Sequence, residues 1–117
     1  MKLVYVAGKF RGNTHPENGY NQYEQEKNIR VAEQLAHAVW LTGKAVGVCP
    51  HSMTRFWQGS APDELWLKGD IVLMLRCDAV LMCANWQDSA GAREEKRIAE
   101  ENGIPVFYNM EDLKRWL

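Results

Sequence analysis

Four short apolar runs, Leu3–Ala7, Ala45–Cys49, Ala79–Cys83 and Ile104–Tyr108, are separated by longer stretches whose apolar residues fall at helical spacing. Runs of this length suit strands buried on both faces, and their alternation with helices predicts a parallel sheet covered on its faces. The long stretch from Tyr20 or Asn21 to Leu41 places Ile29, Ala32, Leu35, Ala36, Val39 and Trp40 on one helical stripe and stops at Gly43. Pro62 suits a first helical turn, with Asp63 and Glu64 at its positive end, and the helix it opens is expected to reach Arg76. A tight hairpin around Cys77-Asp78, joining Ile71–Leu75 to Ala79–Cys83, is the rival reading. Ala90–Asn102 reads as a helix ended by Gly103, and Met110–Leu117 as a closing helix. Gly8–Gly19 and Pro50–Ser60 read as long loops.

A chain of 117 residues supports one core, so residues 1–117 are expected to form one domain. The expected fold class is α/β: a single flavodoxin- or Rossmann-like three-layer domain with four or five parallel strands flanked by helices. A formal net charge of -1 with 25% charged residues gives no attraction for a nucleic-acid polymer or a membrane surface. Cys49, Cys77 and Cys83 are odd in number and lie in or beside apolar runs. They read as buried thiols in a reducing compartment. With no charged leader ahead of an apolar run, the expectation is a cytoplasmic protein.

In open parallel sheets the ligand crevice lies beyond the carboxyl ends of the strands. Here that edge collects Gly8–Gly12, Pro50–Trp57 and Asn85–Gly91. The segment Asp88-Ser89-Ala90-Gly91-Ala92-Arg93-Glu94-Glu95 puts a Ser and small residues where a strand hands over to a helix, with a carboxylate further in. Free N–H groups at such a helix start can wrap an anionic or hydroxylated group, with Ser89 and Gly91 in the cradle. Arg11, His51 and Ser89 are candidate anion or hydroxyl contacts, and Phe10, Phe56, Trp57 and Trp86 candidate flat walls. Asp70 and Glu95 are the carboxylates, and two carboxylates can cleave a glycosidic bond. Gly8 and Gly12 complete the first loop. Trp40, Trp66 and Trp116 fit core or a subunit interface better than ligand contact. His15 reads as loop surface, and Arg93, Glu94, Lys96, Arg97, Glu100 and Glu101 as a solvated face with Lys96–Glu100 and Arg97–Glu101 pairs. No His, Cys and carboxylate cluster has ligand spacing, so neither a metal nor another cofactor is expected.

Tyr5-Val6-Ala7-Gly8-Lys9-Phe10-Arg11-Gly12, Asp70 eight residues before Asp78, Ser89-x-Gly91-x-x-x-Glu95 and Gly103-Ile104-Pro105-Val106 together resemble the nucleoside 2-deoxyribosyltransferase-like superfamily. That superfamily includes nucleoside 2-deoxyribosyltransferases and 2'-deoxynucleoside 5'-phosphate N-hydrolases. The resemblance runs through almost the whole chain in order. It implies that Glu95 is a nucleophile attacking the anomeric carbon, that Asp70 contacts and helps protonate the leaving base, and that Tyr5 orients Glu95. It places Phe10 against the base, and Ser89 where the hydrolases hold a 5'-phosphate and the transferases have an acid for a free 5'-hydroxyl. It also implies a homodimer or higher homo-oligomer. Lys9-Phe10 departs from the Ser-Ile pair of the hydrolase loop, Lys96-Arg97 follows Glu95 where a Gly is common, and Glu94 is a register-shifted rival.

The leading expectation is an N-glycosidase acting on a small-molecule nucleoside 5'-monophosphate. Base exchange between nucleosides is the second, and a nucleotide-binding module without turnover the third. A doubly wound domain with no nucleotide role is the fourth, since one fold hosts many functions.

Overall fold

The computed structural model describes residues 1–11 and 21–117. The chain runs β1 (Lys2–Ala7), α1 (Gln22–Leu41), β2 (Ala45–Val48), α2 (Pro50–Thr54), α3 (Asp63–Leu75), β3 (Ala79–Met82), α4 (Ala90–Glu101), β4 (Val106–Phe107) and α5 (Met110–Trp116), with one 3₁₀ turn at Trp86–Asp88. The strands form one parallel sheet in the order β2-β1-β3-β4. This is the α/β architecture with helices on both faces that the βα alternation predicts.

Central β1 lies between β2 and β3, with Tyr5 opposite Val48 on one side and Val80 on the other. Successive side chains along a strand face opposite ways, so the alternation sorts the core into layers. Val4, Val6, Ala79, Leu81 and Cys83 pack with Ala32, Ala36 and Val39 of α1 and Leu113 of α5. Tyr5, Ala7, Val80 and Met82 pack on the other face with Met74 of α3 and Ala92 and Ala99 of α4. Tyr5 is thereby the one hydroxyl that the buried part of β1 sends toward α3 and α4.

Two boundaries differ from expectation, each for a local reason, while the helix expected to reach Arg76 forms and displaces the rival hairpin. Pro50–Ser60 does not run wholly as a loop: Pro50, which needs no N–H partner in a first turn, opens α2. Ile71–Leu75 completes α3 and is not half of a hairpin. Asp78 then fastens the entry to β3, its backbone N–H donating to the Leu3 carbonyl at 2.8 Å and its carboxylate accepting from the Leu3 N–H at 2.7 Å. The fourth strand contracts from Ile104–Tyr108 to Val106–Phe107. Ile104 donates its N–H back to the Ala99 carbonyl at the end of α4, and Pro105 has no N–H to give.

Among the described residues no helix is long and apolar enough to cross a membrane. The ends of α1, α4 and α5 are set by side chains: Asn21, Ser89 and Asn109 each accept an N–H from the first turn of the helix they precede.

Helix α1 approaches β2 so closely at Gly47 that a Cβ there would fall 2.9 Å from the Ala36 Cα. Backbone cannot yield as a flexible side chain would, so Gly47→Ala is expected to cost about 1–3 kcal/mol by overpacking. Chemical denaturation should show a lower midpoint at unchanged slope; an unchanged midpoint would refute the packing argument.

Candidate active site

A cavity of about 530 Å³ opens beyond the carboxyl edge of the sheet, between the loop after β1, α2, α3 and the start of α4. Helix geometry decides which residues of α3 reach it. Asp63, Trp66, Leu67 and Asp70 stand at i, i+3, i+4 and i+7, on one face, and all four line the cavity. From the opposite wall α4 contributes Gly91 and Glu95, with Ser89 capping its start.

The Tyr5 hydroxyl donates a hydrogen bond to the Glu95 carboxylate. Burial, with Glu95 and Asp70 nearby, raises the Tyr5 hydroxyl well above its ordinary range, so it is a neutral donor. Burial pushes the Glu95 carboxyl up to about 7; the Tyr5 hydrogen bond opposes this and the charge of Asp70 adds to it. Burial likewise lifts Asp70 to about 6. Two carboxyls titrating near neutrality in one cleft are what general acid–base or nucleophilic chemistry needs. Cys77 and Cys83 offer no competing nucleophile there, since burial pushes Cys83 up to about 12 and Cys77 to about 11.

Glu94 is no rival in this geometry. It is exposed and paired with Arg97, on the solvated face where Lys96–Glu100 and Arg97–Glu101 also pair. One residue on, the helix turns Glu95 inward.

Residues 2–108 match the family described as a domain of unknown function (DUF4406). The chain belongs to this family. No curated protein matches it.

Within this DUF4406 domain the Ser89 hydroxyl accepts from the Ala92 N–H at 3.1 Å, which keeps its own hydrogen for a ligand. The N–H groups of Ala90 and Gly91, at the first helical positions, have no carbonyl within α4 to meet and stand at the cavity wall. Asp88 also lines this end.

Phe10 lines the cavity with its ring tilted against His51, centroids 5.1 Å apart. His51 is buried, and burial lowers it to about 4 although a hydrogen bond with the Gly8 backbone raises it. A neutral imidazole can meet a hydroxyl or base edge as donor or acceptor, and an anion only through its one N–H. Arg11 lines the mouth and is bridged to Asp63, both half-exposed. Gly8 runs past the end of β3, where a Cβ would come 2.7 Å from the Cys83 side chain. Gly12 and His15 lie outside the described residues.

The aromatic walls are partly redistributed. Trp66, expected in core or interface, lines the cavity and carries Trp57 against it at 6.1 Å. Trp86 packs on Tyr108 and the core instead, and Phe56 is 83% exposed beside Arg55. Trp40 is a surface residue whose indole N–H donates to the Gly47 carbonyl, and Trp116 packs on Phe107. Among the described residues no three potential metal ligands converge.

A polar brace goes unread in the sequence. Asn85 accepts from the Lys9 N–H and donates to Asn28, whose amide donates in turn to the Arg11 carbonyl at 3.1 Å. Asn28 and Asn85 are 57 residues apart, so no local pattern couples them. Together they hold the loop that presents Phe10 and Arg11.

The folded pKa of Glu95 lies above its unfolded value of about 4.5. The folded state therefore retains a proton that the unfolded state loses, and stability falls as pH rises from about 4.5 to about 7. Glu95→Gln removes that loss. Its melting temperature should exceed that of the wild type at pH 8 and converge with it at pH 4; equal curves at pH 8 would show that Glu95 ionises freely.

Proposed function

We propose that this protein is an N-glycosidase that cleaves the base–sugar bond of a nucleoside or deoxynucleoside 5'-monophosphate through a covalent glycosyl-Glu95 intermediate. The observation that carries the reading is the Tyr5–Glu95 hydrogen bond in a cleft that also holds Asp70 and the capped start of α4. The resemblance to the nucleoside 2-deoxyribosyltransferase-like superfamily assigns the same residues the same tasks.

The ionised Glu95 carboxylate attacks the anomeric carbon as the C–N bond breaks. The electron pair of that bond goes to the base nitrogen, and protonated Asp70 supplies the proton that makes the base a neutral leaving group. The Asp70 carboxylate then takes a proton from water, whose oxygen attacks the same carbon and releases Glu95. Two displacements retain configuration. Tyr5 keeps Glu95 aimed, Phe10 and Trp66 flank the base, His51 offers a neutral hydrogen-bonding edge, and Ser89 with the Gly91 N–H receives the phosphate. Arg11 meets that phosphate by leaving Asp63.

Asp88 on the same cavity wall favours a second reading, in which a carboxylate accepts from a free 5'-hydroxyl and a second base replaces water as the acceptor. In either reading the ligand is a small molecule and not a nucleic-acid polymer. The three free cysteines suit a reducing, cytoplasmic setting, and the working unit is a homo-oligomer.

Base release, followed by chromatography from ribo- and deoxynucleosides and their 5'-monophosphates, with and without an acceptor base, tests the proposal. Wild type should free base from monophosphates, and Glu95→Ala should lose about a thousandfold or more in kcat. Ser89→Asp should move the preference toward the unphosphorylated nucleoside, because a carboxylate repels phosphate at that helix start. With a nucleophile that ionises near 7 and an acid that deprotonates near 6, kcat/KM should follow a bell peaking between about 6 and 7. Stabilisation by a nucleotide with no base released from any substrate would leave a binding module.

A further inference from the structure

Charge alone makes the cavity a poor place for an anion. Among the described residues its wall carries four carboxyl groups, Asp63, Asp70, Asp88 and Glu95, against two cations, Lys9 and Arg11. Of the two, Arg11 has the planar fork that grips a phosphate through paired N–H bonds, whereas a lysine offers a point charge. That fork is engaged, since Arg11 bridges Asp63. The chemistry at Glu95 and Asp70 gives Asp63 no task.

The two partners are held differently. The backbone of Arg11 is fixed, its carbonyl accepting from Asn28 at 3.1 Å and Asn28 being tied to Asn85. The side chains of Arg11 and Asp63 are half-exposed, and an ion pair so exposed is weak. Arg11, Gln58 and Asp63 line both the site and a second cavity of about 620 Å³ on its α1 side. The pair thus stands as a partition, with open space on either hand for a side chain to move into.

Asp63 also has a second home. It is the first residue of α3, and Pro62 before it gives the helix no side-chain cap. The free N–H groups of the first turn and the positive end of the helix dipole stabilise a carboxylate there whether or not Arg11 is beside it. The carboxylate can therefore release Arg11 without losing all its partners.

We propose that Asp63 is a specificity-determining latch, competing with the phosphate of the substrate for Arg11. The proposal rests on the monophosphate reading given above, which puts a phosphate within reach of Arg11. A tethered competitor lowers the affinity of every anion that needs Arg11 and leaves a ligand with a free 5'-hydroxyl untouched. Asp63 accordingly sets the margin by which a monophosphate is favoured over its nucleoside. It also keeps bare phosphate out, because a nucleotide brings base and sugar contacts and inorganic phosphate does not.

Calorimetric titration in a Glu95→Gln background, where nothing turns over, tests the latch with inorganic phosphate, deoxynucleosides and their 5'-monophosphates, cooperative melting being the folding control. Asp63→Asn keeps the shape and drops the charge. It should tighten phosphate and monophosphate about fivefold and leave free nucleosides within about twofold. With Arg11→Ala also present, the gain from Asp63→Asn should fall to about twofold or less, the screened repulsion of a half-exposed charge. An equal gain with and without Arg11 would reduce Asp63 to simple repulsion and overturn the latch. Weaker binding in Asp63→Asn would overturn it too, by showing that Asp63 positions Arg11 for the ligand. If no nucleotide binds any variant while inorganic phosphate follows the expected pattern, the latch stands and the monophosphate reading falls. If Asp63→Asn binds neither, the latch falls.

Discussion

A hydroxyl in the centre of a parallel sheet is the constraint on which the rest of this molecule turns. Strand β1 has a strand on each side and helices over both faces, so its side chains from Val4 to Ala7 have no route to water. Tyr5 must then find a polar partner on the face that its position in the pleat dictates. That face belongs to α3 and α4, and the partner is Glu95. Shifting the register of β1 by one residue would turn Tyr5 toward α1 and α5 and part the two groups.

Holding Glu95 there works against stability at neutral pH, because burial disfavours the ionised carboxylate more than the Tyr5 hydrogen bond restores it. A core built for stability alone would place an apolar side chain at that point. Val4, Val6 and Leu81 pack in apolar clusters with α1 and α5, and the solvated face of α4 carries its ion pairs outside. A site with raised carboxyl pKa values on a well-packed sheet is the distribution expected where chemistry has been set against folding.

How much of this was legible in the sequence follows from the range of each interaction. Strands buried on both faces announce themselves as unbroken apolar runs, and three of the four were clear on that ground. The fourth was overread because Ile104 is claimed by the end of α4, which composition does not reveal. Helical phase measured from the Ser89 cap separates Glu95 from Glu94, so the position of the inward carboxylate was readable. Trp66 was readable in principle too: its spacing from Asp63 and Asp70 puts it on their face, but a Trp in an apolar helix resembles core. The Asn28–Asn85 brace was not readable at all. It joins a helix to a distant loop through two amides that in sequence look like ordinary polar residues.

The two faces of α3 explain why so apolar a helix carries three acidic residues. Asp63 and Asp70 lie on the cavity side, where Asp63 holds Arg11 at the mouth and Asp70 stands within electrostatic reach of Tyr5 and Glu95. Glu64 lies off that side, near the N-terminus, where the helix dipole favours it. Met74 anchors the helix to the sheet among Tyr5, Val80 and Met82. Ile71 and Leu73 pack partly buried against the same cluster, and together with Met74 and the contacts with α4 they hold Asp70 in place. Any further packing against the outward face would therefore act on the orientation of Asp70, which ties the geometry of the cleft to whatever covers Leu65 and Val72.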